Sequence, residues 1–454
     1  MVKNSEKGEA PRESTHWPRL LRLGREIFWV GVGQFLSISG SMVGVRVLTH
    51  LLPPSVYGEM ALALTVGTLM QQVFLGPSGN ALVRYFSLAK EEGRMDCYLQ
   101  AGLELFGRAS LGVLVVAGLS VFSLWVSGNV DWISTVSVAS VFTLLSGYNS
   151  MLDGVQNAAR QRVVVAWHQG LSQWLRFAAV IPVVLLYKRT ALYALCGYCI
   201  GITIVGISQT LFLARILPFS SCSLRISSDP IVCEMRRKMW SYAWPFALWG
   251  LVGSVQFSAD RWALKLEGGL DAVGFYAVLY QIGFSSMVLF SNIIVQLMAP
   301  ILFQRAGTGG DRARLQRVFE LNRNVVSWAL TACLLGTAGL YVLHTTIFRV
   351  FVAPAYWSVS YLLPWMGLAG GLFACGQIAT LSLLSEASSK ALLAPKIVCA
   401  VLAAGLYFLG AWAFELRGVI AAGVLVSGTY LTWILKLTRN TEKNYAQRTD
   451  SGDN

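Results

Sequence analysis

Apolar runs and polar breaks alternate along this chain on a scale set by a lipid bilayer. Stretches near 27–49, 57–83, 101–126, 132–152, 168–187, 191–213, 240–265, 273–303, 324–346, 359–384, 393–414 and 418–437 are almost free of charge. Each approaches the roughly 20 apolar residues that cross about 30 Å of hydrocarbon as an α-helix. Lipid offers no partner to a bare backbone, so an uninterrupted run of this length must be helical. The pattern predicts an all-α polytopic membrane protein with about twelve transmembrane helices. Connections at one set of ends are short: 51–56, 127–131, 188–190, 267–272, 348–359 and 415–418. The longest internal break, 214–239, carries Ser220-Ser221-Cys222-Ser223, then Asp229-Pro230 and a basic cluster, the composition of a linker. The expected organisation is a tail 1–26, a first lobe 27–213, a linker 214–239, a second lobe 240–437 and a tail 438–454, with six spans in each lobe around a central cavity.

Composition agrees. The 454 residues are 55% hydrophobic and only 13% charged, roughly half the charged share of a soluble domain. A net charge of +13 would suggest nucleic acid if the bases formed one surface. They do not. Most fall on alternate connections: Lys3, Lys7, Arg12, Arg19, Arg22 and Arg25 in the first tail, Arg215, Arg225, Arg236, Arg237 and Lys238 in the linker, and Arg305, Arg312, Arg314, Arg317 and Arg323 after the eighth span. Lysine and arginine excess marks the cytosolic face. Both termini and the linker are therefore expected in the cytosol, the protein in the inner membrane, and the bases against anionic headgroups. The first span is too long for a signal h-region and is expected to stay. The eight cysteines lie in spans or on the basic side, so no disulfide framework is expected. Cys196 and Cys199 have redox or zinc spacing, but they sit in an apolar helix without further ligands. No cofactor or metal is expected.

The two halves resemble each other. The first carries Arg46, then Leu51-Leu52-Pro53-Pro54-Ser55-Val56-Tyr57-Gly58; the second carries Asp260-Arg261, a short turn, then Val273-Gly274-Phe275-Tyr276. Each has an arginine late in an odd span and a glycine beside a tyrosine opening the next. Parallel six-span repeats are a transporter plan. These segments, with Leu75-Gly76-Pro77-Ser78-Gly79-Asn80 closing the second span, resemble the polysaccharide-biosynthesis and O-antigen repeat-unit flippases of the multidrug/oligosaccharidyl-lipid/polysaccharide exporter superfamily. The span count and central linker extend the resemblance over essentially the whole chain. It implies two helical bundles about a cavity and movement of a polyprenyl-diphosphate-linked sugar between leaflets. It also implies membrane lipid as a partner, with a polysaccharide polymerase and chain-length regulator downstream.

Intramembrane charges are functional hypotheses by default. Arg176 lies too deep in the fifth span for snorkelling alone, and its planar fork suits phosphate or carboxylate; the alternative is a buried structural contact. Arg108, Arg46 and Arg261 are further cavity candidates, with snorkelling to an interface as the competing reading for Arg108 and Arg46. Neighbours on a helix point about 100° apart, so Asp260 and Arg261 should face different surroundings, with Asp260 a candidate for ion coupling. Gly76, Pro77, Gly79, Gly370 and Gly371 are candidate hinges because proline removes a helical hydrogen bond and glycine adds freedom. The alternative functions are an ion-coupled exporter of small molecules or drugs, which would favour an acidic cavity, and a polysaccharide polymerase or ligase, which would need a large outer loop. No nucleotide-binding, phosphate-loop or metalloprotease motif is present, and no catalytic residue is expected.

Overall fold

The computed structural model describes residues 16–215, 227–306, 312–385 and 389–450. The tail bases Lys3, Lys7 and Arg12, the linker residues 216–226 with Cys222 and Arg225, and residues 451–454 lie outside that set. All regular structure among the described residues is helical. The helices are α1 His16–Leu51, α2 Pro54–Glu91, α3 Met95–Val126, α4 Asp131–Ala158, α5 Arg162–Leu186 and α6 Ala191–Ala214 in the first lobe. The second lobe holds α7 Pro230–Glu267, α8 Gly269–Ala306, α9 Arg312–Phe351 and α10 Pro354–Ser385. Its last segment, Leu393–Asp450, is two helices, α11 and α12, meeting at Phe414 and Glu415, whose backbones are not helical. Nine described stretches are long and apolar enough to cross a membrane. One of them contains both α11 and α12, and the more polar α4 and α7 complete the twelve.

Several helices outrun their apolar cores. α7 starts at Pro230, so residues 230–239 of the expected linker are helical. Proline suits a first helical turn because the donor it lacks has no partner there, and the Asp229 carboxylate accepts from the Ile231 amide at 2.9 Å, a standard N-cap. The expected connection 348–359 shrinks to Val352–Ala353, because α9 runs to Phe351 and a 3₁₀ turn opens α10 at Pro354. The residues at 415–418 form a kink rather than a loop. Turns at the same end use left-handed backbone at Gly128 and Gly269, both at φ +75°, and at Glu415, φ 49°. This end is the short-loop end; the other is the basic end.

Lipid is as apolar as leucine, so helices in it associate through close packing and polar contacts rather than water exclusion. The lobes meet accordingly. At the short-loop end α2 crosses α8 at two glycines. A Cβ on Gly58 would collide with the Leu270 carbonyl, and one on Gly274 with the Pro54 carbonyl. The repeat positions thus contact each other reciprocally, which ties the internal repeat to a pseudo-two-fold interface. Around the crossing, one buried core joins Leu48, Leu52 and Tyr57 of the first lobe to Tyr276, Phe348 and Tyr356 of the second. At the basic end the first part of α7 leans on the first lobe instead. Met235 and Met239 share a core with Phe86, Tyr98 and Leu105, and Arg236 pairs with the buried Glu104, which also accepts from the Ser227 amide at 2.7 Å.

The crossing has a measurable consequence. Gly58→Val forces two backbones apart at an overpacking cost of about 1–3 kcal/mol, so it should lower the thermal midpoint of the purified protein. Gly79→Ala, with open space around the new methyl, should leave it unchanged. Equal midpoints would mean that the crossing does not hold the lobes.

Candidate functional site

A cavity of about 600 Å³ lies between the lobes beneath the short-loop core. It extends from Leu48 and Tyr57 down to Ser37, Gln72 and Leu289. Each lobe gives it one cation, Arg176 from α5 and Arg261 from α7, and no aspartate or glutamate is among its described lining residues. Its polar lining is otherwise neutral, from Ser41, Thr65, Gln72, Gln173, Tyr280 and Gln281 among others.

The two guanidinium groups are held differently. Arg176 donates from Nη2 to the Gln173 side chain one turn back and lies against Phe142, Phe177 and Tyr198, with Tyr198 nearest at 5.3 Å from ring centroid to Cζ. Its buried Nε has no partner, and neither has the buried Ser258 hydroxyl in the same lining. α6 packs so tightly here that a Cβ on Gly201 would strike the Arg176 backbone, which fixes the residue's position. Arg261 donates from Nη1 to the Phe257 carbonyl at 2.9 Å and stacks over Tyr280 at 4.6 Å. Its Nη1 is 3.8 Å from Asp260 Oδ1.

Asp260 turns away from the central cavity into the second lobe. It is 2% exposed, accepts from the Tyr276 hydroxyl at 2.6 Å and from the Arg261 amide at 2.7 Å, and borders a small internal void with Gln256, Tyr276 and Tyr407. The acid and base do face different surroundings, yet the long arginine side chain reaches back to the carboxylate, so they also form an ion pair.

The other two arginines are elsewhere. Arg46 Nη1 donates to the carbonyls of Arg349 at 2.9 Å and Val352 at 2.7 Å. It clasps the end of α9 and caps the cavity from above rather than lining it. Nearby, Ala353 N donates to Thr49 Oγ1 at 3.1 Å and Tyr356 OH to the Leu52 carbonyl at 3.0 Å. Arg108 is a correction to the cavity reading. It is exposed on the same face of α3 as Leu111 and Val115, so it points to the bundle surface, where its stem can snorkel to the basic interface. Within the cavity the lobes are joined by Gln281 donating to Ser41 at 2.8 Å and Trp262 Nε1 donating to Thr65 at 3.0 Å.

The hinge candidates divide. Gly76, Pro77 and Gly79 follow a π turn, Gln71–Leu75, and the helix then continues through them without a break. Pro77 withholds one amide, and the widened turn before it is a recognised way to absorb that loss. Gly370 and Gly371 sit at close contacts. A Cβ would strike the Phe284 backbone at Gly370 and the Cys333 sulfur at Gly371, so both serve close helix packing inside a continuous α10. A second π turn, Tyr280–Phe284, places Tyr280, Gln281 and Phe284 in the cavity wall. Nothing in the sequence announced it, because π turns have no residue signature comparable to a proline. His168 is structural: its ring contacts the Val164 carbonyl at 2.8 Å and the Ser208 hydroxyl at 3.0 Å. Cys196 and Cys199 are free, and the described residues hold no cluster fit for a metal.

The family model for polysaccharide biosynthesis proteins matches residues 23–305. No curated protein matches the chain in sequence. Among solved structures, the lipid II flippase MurJ in an inward closed conformation superposes with a TM-score of 0.68 at 12% identity, over 90% of this chain and 87% of that one. A multidrug resistance MATE family transporter of the MOP superfamily, in its inward-facing conformation, gives 0.66 at 14% identity, over 93% and 96%. A MOP superfamily transporter from Pyrococcus furiosus gives 0.59 at 13% identity, over 94% and 96%. At such identities the likeness is one of fold, and that fold is two-lobed and polytopic.

Asp260→Ala removes the counter-charge of Arg261 and the acceptor of Tyr276. Breaking one side of a buried pair costs about 3–5 kcal/mol, so thermal stability should drop sharply. Asp260→Asn keeps an acceptor and should cost less. If both variants melt alike, the Tyr276 hydrogen bond contributes nothing.

Proposed function

Since the chain belongs to the polysaccharide biosynthesis protein family, we propose that it moves a polyprenyl-diphosphate-linked oligosaccharide repeat unit from the inner to the outer leaflet, supplying O-antigen, capsule or exopolysaccharide assembly. The observation that carries this reading is the charge of the central cavity. Two guanidinium groups, one from each lobe, line it, and no described carboxylate does. A diphosphate cannot cross hydrocarbon bare, because moving a charge into a low-dielectric interior is strongly unfavourable unless it is paired. The unpartnered Arg176 Nε and Ser258 hydroxyl offer donors that an anionic, hydroxyl-rich cargo can fill. The neutral amides and hydroxyls of Ser41, Gln72, Gln173 and Gln281 suit a glycan, while the lipid chain stays in the bilayer.

Transport proceeds by alternating access. In the conformation described here the lobes are joined at the short-loop end by the glycine crossing, the Arg46 clasp and the Tyr356 bond. Parting of that end, with the rest of the second lobe closing on the first at the basic end where α7 already packs against it, exposes the cavity to the other leaflet. With the basic end and both termini in the cytosol of an inner-membrane protein, as the distribution of bases supports, the present conformation loads from inside. The task is translocation rather than catalysis, and the product passes to a polymerase and its chain-length regulator. Export of cationic drugs is the second reading. The cavity's aromatic rings would serve it, but its two arginines would repel such cargo. A polymerase or ligase is disfavoured by short-loop connections that leave no room for a catalytic domain among the described residues.

A deletion strain should accumulate the lipid-linked oligosaccharide on the cytosolic leaflet and lose surface polysaccharide. In that strain Arg176→Ala should insert normally yet fail to restore export. Arg176→Lys should restore it in part, because a point charge replaces a bidentate fork. Full export by Arg176→Ala would remove Arg176 from the site. An unchanged lipid pool with altered sensitivity to cationic compounds would transfer the chain to the drug-exporter reading.

A further inference from the structure

A second cavity, of about 350 Å³, opens in the flank of the second lobe, within the roughly 300–1,000 Å³ of small-molecule sites. α7 supplies Trp249 and Gln256, α10 Gln377, α11 Lys396 and α12 Tyr430. Its mouth is apolar and exposed on the bundle surface, with Leu248 at 58% and Ile397 at 47%. Exposed Trp240 and Trp244 lie about two and a half and one and a half turns before Trp249 on α7, where aromatic side chains mark the headgroup boundary. The cavity therefore opens sideways into the leaflet at the basic end.

Two features separate it from an ordinary packing defect. The first is its cation. The Lys396 ammonium lies 4.0 Å from the Trp249 ring centroid, and among the described residues no carboxylate pairs with it. A lysine one turn inside a span normally snorkels to the interface; this one is laid across the cavity instead, so its charge awaits an anion. The second is its back wall. Phe257 and Phe373 line this cavity and the central one alike, packed edge to face at 5.5 Å and 90°. Two rings therefore divide the lateral cavity from the chamber that holds Arg176 and Arg261.

An apolar pocket open to lipid, with one free cation and two amides, fits an amphiphile with an anionic head. A shared wall with the transport cavity favours the cargo over bulk lipid. Building on the function proposed above, we infer that this cavity is the docking site for the lipid end of the cargo. Lys396 holds a phosphate of an isoprenoid diphosphate, the groove between α7 and α11 takes the first isoprene units, and the Phe257–Phe373 wall separates this station from the central arginines.

Photo-crosslinking tests this on the full-length protein in phosphatidylcholine nanodiscs. The probe is a long-chain polyprenyl diphosphate with a diazirine on its first isoprene units, and labelled peptides are read by mass spectrometry. Label is expected on α7 and α11 around Trp249 and Lys396. Loss of one charge-assisted contact should cut labelling about tenfold in Lys396→Gln, while Lys396→Arg retains it and so controls for folding. Ile397→Trp should fill the mouth and abolish the label. Unlabelled polyprenyl diphosphate should compete, whereas phosphatidylglycerol and inorganic pyrophosphate should not. Competition by phosphatidylglycerol at equal strength would make this a general lipid site and overturn the assignment, as would competition by pyrophosphate alone. Label confined to central-cavity helices and indifferent to Lys396→Gln would overturn it too, while leaving the flippase reading intact. No specific label anywhere on the protein would sink both.

Discussion

Two glycines on crossing helices set how closely the lobes can approach. In water the apolar faces of two bundles would be driven together; in lipid they gain nothing by exchanging acyl chains for leucine. What remains is contact at short range and hydrogen bonding. Gly58 and Gly274 supply the first by letting the α2 and α8 backbones touch. Arg46, Thr49 and Tyr356 supply the second on the same level, each bond contributing about 0.5–1.5 kcal/mol. The cavity lies below because the lobes are pinned above. Because lipid can replace the apolar part of these contacts at little cost, it is the hydrogen bonds and the close backbone approach that would have to be given up if the lobes part.

The cavity below that pin mixes apolar walls with neutral polar groups and few charges, and its two arginines differ in how they are braced. Arg261 has a backbone carbonyl, a tyrosine face and a nearby carboxylate. Arg176 has a neutral amide and aromatic rings, with one donor unused. The first is a fixed cation already largely satisfied, the second a cation still short of partners. Asp260 thereby acts inside the second lobe as a support for Arg261 and the Tyr276 hydroxyl. A bound proton or sodium ion would compete with both of those contacts, so an ion-coupling role for Asp260 would have to be linked to release of Arg261.

Much of this was legible from hydropathy and charge. Twelve apolar runs gave twelve spans, and the likeness around Gly58 and Gly274 marked residues that touch. Depth singles out Arg176, since an arginine far from either interface has few destinations, and the internal repeat singles out Arg261 through its correspondence with Arg46; both line the central cavity. For Arg108 depth leaves cavity and snorkelling both open, because depth alone does not give the face; its stripe with Leu111 and Val115 is the signal that separates them. Arg46 lies near the short-loop end of α1, and its partners are about 300 residues away in sequence; no local pattern reports such a contact. Gly370 and Gly371 show the ambiguity of glycine, which serves both bending and close approach. The π turn at Tyr280–Phe284 and the lateral cavity at Lys396 arise from packing and leave no mark in composition.

The uneven bracing of the two arginines has an electrical consequence. Asp260 lies beside Arg261, while no described carboxylate pairs with Arg176. An empty cavity thus carries about one uncompensated positive charge. When access alternates, that charge is exposed first to one bulk phase and then to the other, and the membrane potential acts on it at about 2.3 kcal/mol per elementary charge per 100 mV. With the basic end in a negative cytosol, as proposed, the empty carrier would be drawn back to its inward-facing form. For the cargo proposed above, a diphosphate would reverse the sign of the occupied cavity, and the same field would push the loaded form outward. On the proposed function, one unneutralised guanidinium would let a resting voltage act on both halves of the cycle.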